Sequence, residues 1–458
     1  MKKIDKRVYW FALAVAFLLL LTIPSINNKG KRKEEASSGK GKVTVVISGG
    51  PKETDTIEVK RTKEKIVRFN KEYPEIEIRW TDRGYSPDSF TTSMIGGTAE
   101  DVINLFATEG YMADRGYALD LSEMINQWKY SAQLNREMLE PFRRGERFYA
   151  IARNGYIIGM IYNKKLFREA GIVEPPTNWH ELTAAAKKIT NRKKGVAGFG
   201  VLGKDAEAGW GLLNFVWQAG GDFEKEENGR WKAVFDEPEA IRGLEFIKDL
   251  RWKHDVFQTN LLATRQDLLP RFAAGQIGII YAAQDQIPIL VNQYGMKLED
   301  IGMALLPAGP AGRANQMGAN YSIINPNSKP EVQQAAFKWI MWSLLDELSK
   351  ERISEKGEDL RKRGQVGMLS VLPIFNGDIA GRAQAAAKEY SDVFISFGDI
   401  WQEAVKYMRT EPPMFCQQLY SEYLGPAVES VLTERTADPA RLMKKAAQDF
   451  ETRFLNKQ

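Results

Sequence analysis

From Val43 onward, short β-branched runs alternate with amphipathic helical patterns, and this alternation leaves the chain few folds to choose from. Residues 42–48 (KVTVVIS) are a β-branched run closed by Gly49-Gly50-Pro51, which reads as a buried strand and a loop. A helical pattern follows, with Ile57, Ile66, Val67 and Phe69 among Lys and Glu, and Tyr73-Pro74 closes it before a strand at 76–80. Residues 89–95 read as helix, Gly96-Gly97 break it, and residues 101–106 (DVINLF) read as a third strand. Strand, helix, strand, helix, strand is the order of a parallel α/β sheet with right-handed crossovers.

The pattern recurs after Phe148. Residues 156–162 are strand-like, 165–170 read as a helix capped at Gly171, and 177–188 form a helix whose first turn holds Glu181, capped by Thr177 or Asn178. A glycine-rich strand at 196–202, helices at 210–219 and 237–254, and strands ending at Ala283 and Leu306 make a second α/β unit. Residues 329–345 read as a helix with Trp339 and Trp342 near its apolar stripe. The charged stretch to Arg363 reads as a solvated helix pair, 369–374 as a return to the core, and 420–454 as two helices parted near Ala437-Asp438-Pro439.

Composition narrows the classes further. With 458 residues, 43% hydrophobic and 27% charged, the chain is a soluble globular type of two or three folding units. The single cysteine, Cys416, has no internal disulfide partner, and with only His180 and His254 a Cys/His zinc cluster lacks ligands; no metal and no cofactor are expected. The net charge of +5 is concentrated in residues 1–42, which carry +7 and leave −2 for the remainder. The folded part therefore lacks the basic face that nucleic acid requires.

The amino terminus carries its own message. Lys2, Lys3, Lys6 and Arg7 precede the apolar run 8–23 (VYWFALAVAFLLLLTI), an export signal or a membrane anchor. No A-x-A spacing follows the run and no cysteine lies near it, which favours an uncleaved anchor over residues 1–26 and excludes an acylated amino terminus. Residues 27–42 (NNKGKRKEEASSGKGK) have the composition of a flexible tether.

The stretch 148–190, FYAIARNGYIIGMIYNKKLFREAGIVEPPTNWHELTAAAKKIT, resembles the signature segment of the extracellular solute-binding proteins of ATP-driven importers, in the group that includes maltose-binding protein. Three more blocks follow the family's order: GTAEDV at 97–102, FAAGQIGII at 272–280 and LPAGPAG at 306–312. The closing AVESVLTERTADPARLMKKAAQDF is similar to the family's final helix pair. The resemblance implies a two-lobe α/β periplasmic-binding-protein fold with three interlobe crossings, residues 43–153 plus 310–344 in lobe I and 154–309 plus 345–458 in lobe II. It also implies a monomer outside the cytoplasmic membrane that holds one solute, a carbohydrate, in the cleft and then docks on the importer's transmembrane subunits.

A sugar offers hydroxyls at its edges and C–H patches on its faces, so a cleft for it needs carboxylates, amides and aromatic rings. Trp210 and Trp217 lie seven apart in GWGLLNFVWQAGG with Asn214 between them, and the glycines flanking Trp210 suit a loop-to-helix entry. Thr108 and Glu109 follow the third strand at its carboxyl end, where open α/β sheets place ligands. The resemblance puts Glu109 where relatives hold a hydroxyl-binding acid, Asn154 and Tyr156 at the first crossing, Asn320 in a glycine-rich segment, and Tyr420 where a ring can be supplied. Ala282-Ala283-Gln284-Asp285 replace the Gly-Gly-x-Trp ending common in relatives, which offers Asp285 as an acceptor in place of a stacking ring. No G-x-S-x-G, H-E-x-x-H or G-x-x-x-x-G-K-[ST] occurs, so binding without catalysis is expected. A carboxylate-based glycosidase and a tethered sensor are the alternatives.

Overall fold

The computed structural model describes residues 41–105, 108–368 and 374–457. The expected anchor (1–26), nearly all of the expected tether (27–42), Phe106 and positions 369–373 of the expected return to the core lie outside the described residues. Among the described residues no helix is long and apolar enough to cross a membrane.

β-Branched side chains fit the pleat of extended backbone, and the first three runs form strands Val43–Ile47, Ile76–Trp80 and Val102–Leu105. The first lies between the other two and parallel to both. Helix Thr56–Glu72 makes the first crossover, with the Asp55 carboxylate accepting from the Glu58 N–H at 3.1 Å at its start. Its expected apolar stripe holds only in part. Phe69 is buried and Ile66 partly so, whereas Ile57 and Val67 are 59% and 58% exposed. The helix is seated instead by one aromatic contact, in which Phe69 meets Trp339 and Trp342 at 5.0 and 5.2 Å. Both tryptophans belong to helix Pro330–Glu347.

The strand expected at 156–162 is longer, Ile151–Asn163, and joins the two halves of a nine-stranded sheet. Its first part pairs antiparallel with strand Asn315–Ile324, from Ile151 opposite Ser322 to Ile157 opposite Met317. At Ile158 it changes neighbours and pairs antiparallel with Ile277–Ala283 and Ile301–Ala304. The register slips by one residue between Asn154 and Ala152, so Arg153 is the extra residue of a bulge, which bends a strand and increases its twist.

The second half also contains strand Ala197–Gly200, parallel to Ile277–Ala283. Helix Trp179–Ile189 starts as expected, with Asn178 accepting from the Glu181 N–H at 3.0 Å and Glu181 accepting from the Thr177 N–H at 2.8 Å. Trp179, Leu182, Ala186 and Ile189 form its buried face, and the Trp179 ring stacks on Phe246 at 4.0 Å.

Beyond Glu347 the chain is more helical than the sequence suggests. The expected solvated pair is a single helix, Lys350–Lys362, docked where Gly357 meets the Tyr390 backbone. Helices Gly377–Tyr390 and Asp392–Ala404 follow, and Val393, Phe397 and Trp401 enter the core of the second half. Strand Met408–Thr410 then runs parallel to residues 315–317, and helices Gly425–Thr433 and Pro439–Arg453 close the chain. The chain thus passes between the halves along the long strand, and strand Ile301–Ala304 on one half is followed by strand Asn315–Ile324 on the other.

Candidate functional site

The segment from Glu411 to Tyr420 lies where the long strand changes neighbours and touches both halves. On one side it is clamped to the turn after strand Val102–Leu105. The Gly110 N–H donates to the Pro413 carbonyl at 2.8 Å, and the Cys416 N–H to the Thr108 carbonyl at 3.3 Å. Tyr111 stacks on Phe415, with centroids 4.2 Å apart and planes 6° from parallel. Position 110 must be glycine, because a Cβ there would stand 2.6 Å from the Pro413 oxygen and 2.7 Å from the Pro141 oxygen. Phe415 adopts a left-handed backbone, φ +46°, as the chain turns into a short helix and then the π-helical turn Leu419–Leu424.

On the other side the segment meets helix Asp205–Ala219. The helix starts earlier than expected, so Trp210 lies within it and its flanking glycines do not mark a loop. Gly209 is needed for a different reason: a methyl there would collide with the Tyr420 backbone.

Glu411 is the hub of the contact. Its Oε1 accepts from the Tyr156 hydroxyl at 2.6 Å, from Trp210 Nε1 at 3.1 Å and from Gln316 Nε2 at 3.1 Å. Trp210 Nε1 also points at the Tyr156 hydroxyl, 2.9 Å away. Asn214 completes the network, its Oδ1 accepting from the Gln316 N–H at 2.8 Å and its Nδ2 donating to Gln316 Oε1 at 3.1 Å. The other two carboxylates each accept one backbone N–H from the same segment. Glu109 Oε1 takes Gln417 N–H at 3.3 Å, and Glu224 Oε2 takes Met414 N–H at 2.8 Å. Their second oxygens, Glu109 Oε2 and Glu224 Oε1, are buried without a partner, and the Tyr420 hydroxyl is buried beside Glu411 and Cys416.

The electrostatics follow from burial without a counter-ion. Desolvation pushes the Glu109 carboxyl up to about 8, the Gln417 N–H opposes it, and the nearby Glu411 charge adds to it. Glu224 is raised well above the ordinary carboxylate range, first by burial and then by Asp222 and Glu109. Glu411 is raised by burial against the hydrogen bonds from Tyr156, Gln316, Trp210 and Tyr420. Among the described residues no group of three or more His, Cys, Asp or Glu side chains could hold a metal ion.

Six of the sequence-predicted residues, Thr108, Glu109, Tyr156, Trp210, Asn214 and Tyr420, come together here. Three do not. Asp285 is exposed before helix Gln286–Asn292, where its carboxylate accepts from the Gln286 side chain at 2.8 Å; the neighbouring Gln284 is the one turned inward, accepting from the Ile157 N–H at 3.3 Å. Asn154, exposed, and Asn320, partly buried, face each other across the strand pair beside the bulge. Asn154 lines a separate cavity of about 730 Å³, together with Arg153, Arg68 and Asp346. Sequence reasoning missed Glu411, Glu224 and Gln316. The one available signal was Glu411-Pro412-Pro413, an acid set in a stretch that cannot be regular helix.

Two sheet halves sharing one strand, with polar side chains from both gathered at the joint, define a two-lobe binding protein. The sequence matches the bacterial extracellular solute-binding protein family over residues 51–348, and the chain belongs to that family, which places it outside the cytoplasm. It is 23% identical over 343 residues to the multiple sugar-binding protein of Streptococcus mutans, covering 72% of this chain and 77% of that one. It is 26% identical over 261 residues to a binding protein of Brucella abortus, where the match spans 60% of the relative's length, less than two thirds. Among solved structures, the fold is shared with a Thermotoga lettingae solute-binding protein bound with α-D-tagatose (TM-score 0.68, 22% identity, 90% of this chain and 99% of that one). It is also shared with maltose-bound MalE3 of T. maritima (TM-score 0.68, 21% identity, 89% and 99%).

Proposed function

We propose that the protein is the solute-binding component of an ATP-driven importer and holds a carbohydrate between its lobes without altering it. The observation that carries this reading is the Glu411 network, which draws Tyr156 from the crossing strand, Trp210 from the second half and Gln316 from strand Asn315–Ile324 onto one carboxylate oxygen. A buried set of acids, amides and aromatic rings is the chemistry that hydroxyls and C–H faces call for. The names of similar proteins, bound to tagatose and maltose or described as sugar-binding, point the same way. In this reading residues 43–153 and 310–344 form one lobe and residues 154–309 and 345–458 the other. Solute binding stabilises the closed form by its difference in affinity between open and closed states. The closed form, a monomer tethered by the amino-terminal anchor, docks on the importer's membrane subunits.

The test is a thermal-shift screen of residues 43–458 against mono- and oligosaccharides, polyols and glycerophosphodiesters, followed by calorimetry and chemical recovery of the ligand. A ligand at 100 times its Kd stabilises the fold by about 2.7 kcal/mol. Recovery of a bound sugar intact is expected. A cleaved sugar would establish catalysis instead, and silence across the carbohydrate panel would remove the carbohydrate assignment.

A further inference from the structure

The cavity beside the bulge holds more cation than its own acids can answer. It measures about 730 Å³, within the range of small-molecule pockets, and lies among helices Thr56–Glu72, Pro330–Glu347, Lys350–Lys362 and Gly377–Tyr390. It is apart from the Glu411 network, since neither Tyr156, Trp210 nor Glu411 lines it. Each acid in its wall is already paired. Glu58 pairs with Arg61, Glu64 with Lys60 and Glu355 with Arg352. Asp346 pairs with Arg68 at 2.6 Å, Glu347 with Lys65 at 2.5 Å and Asp359 with Arg363 at 2.5 Å. Two lining cations, Arg153 and Lys356, form no ion pair among the described residues.

The bulge puts Arg153 in this wall. As the extra residue between Ala152 and Asn154, it has no opposite residue on strand Asn315–Ile324, and a bulge re-aims the side chain it carries. Its Nε is buried without a partner, and Glu347, the acid whose charge it feels, is held by Lys65. A guanidinium does not shed its proton to escape burial, so an anion is what would answer it. The rest of the wall is apolar, with Leu348, Ile353, Phe375, Ala383, Ala387 and Phe394 among its residues.

We propose that this cavity is a second ligand site, distinct from the cleft at Glu411, and that it takes a small amphiphilic anion. A carboxylate or phosphate head sits on Arg153 with Lys356 at the rim, and an apolar body lies against Ile353, Phe375, Ala383 and Phe394. The planar guanidinium suits either head through two parallel N–H···O bonds, and the apolar walls reward a body that a bare anion lacks.

The experiment is calorimetry on residues 43–458, a compact unit that contains every strand of the sheet. The probes are octanoate, octyl phosphate, octanol, octylamine, acetate and inorganic phosphate. Octanoate or octyl phosphate should bind about tenfold or more tighter than octanol and octylamine, and the tighter of the two identifies the head. Arg153→Met should weaken that binding by about tenfold or more, and Ala383→Phe, which fills the apolar part and keeps the guanidinium, by about fivefold or more. Having two variants guards against one failing to fold. Octanol or octylamine binding as tightly as the octyl anions overturns the anion, and acetate or phosphate binding as tightly as its octyl counterpart overturns the apolar body. Silence from both octyl anions, or unchanged affinity in either variant, overturns the site itself and leaves the carbohydrate reading untouched.

Discussion

Arg153 and Tyr156 are three residues apart on one strand, yet they face opposite electrostatic worlds. Around the cavity lined by Arg153, charges are matched: Arg68 with Asp346 at 2.6 Å, Lys65 with Glu347 at 2.5 Å, and Arg352 with Glu355. Arg153 is the exception there; burial lowers its pKa against the pull of Glu347, and its Nε has no partner. Around Tyr156 the carboxylates are buried with neutral donors alone. The first arrangement is how a surface keeps long charged side chains solvated and paired. The second raises the energy of the protein alone, because neutral donors satisfy the oxygens without balancing a charge.

The largest expected effect comes from removing the hub. Glu411→Ala strands the Tyr156, Trp210 and Gln316 donors, and urea unfolding should show a loss of roughly 3–5 kcal/mol. Glu411→Gln keeps an acceptor and discards the charge, so it should stay within about 1 kcal/mol of the parent. Equal losses from both variants would mean that the charge, not the acceptor, holds the joint together.

The pH dependence should have an unusual sign. Because the Glu109 carboxyl is raised from 4.5 to about 8 in the folded state, the folded protein binds more protons than the unfolded chain between those values. Stability of the unliganded protein should therefore fall as pH rises from 4.5 through 8, by up to roughly 5 kcal/mol from Glu109, with Glu224 and Glu411 acting in the same direction. Glu109→Gln should flatten the slope in melting experiments across this range. A parent that gains stability over that window would contradict buried, uncompensated acids.

Smaller effects test the frame around the two regions. Gly110→Ala forces a methyl against the Pro413 and Pro141 carbonyls and should cost roughly 1–3 kcal/mol, read by thermal unfolding. Arg68→Ala removes a partly exposed pair and should change stability by less than about 1 kcal/mol. If the Arg68 substitution proved the more damaging of the two, the contrast drawn between the regions would be reversed.

Much of the fold is legible along the chain because it is local. The β-branched run at 43–47, the Asn178 cap and the Trp179–Ile189 face each depend on neighbours within a turn or a strand, and each forms where the spacing places it. Six of nine candidate site residues also meet, since Glu109 follows a strand end and Trp210 and Asn214 share a helix. Asp285 stands apart from them because the backbone begins a helix there and turns Gln284 inward in its place. The exposed Ile57 and Val67 show the same limit, for a helical period cannot say how much of a face a neighbour will cover.

By itself, then, the sequence determined the alternation of strands and helices, a complement of one cysteine and two histidines, and the family signature in residues 148–190. Tertiary structure alone decided that Glu411 would meet Tyr156, 255 residues away, and that Glu224 would meet Met414, 190 residues away. The reason is physical. A propensity is fixed by neighbours within a few residues, whereas the burial of a carboxylate and the donors it finds are fixed by segments that only the completed fold brings together.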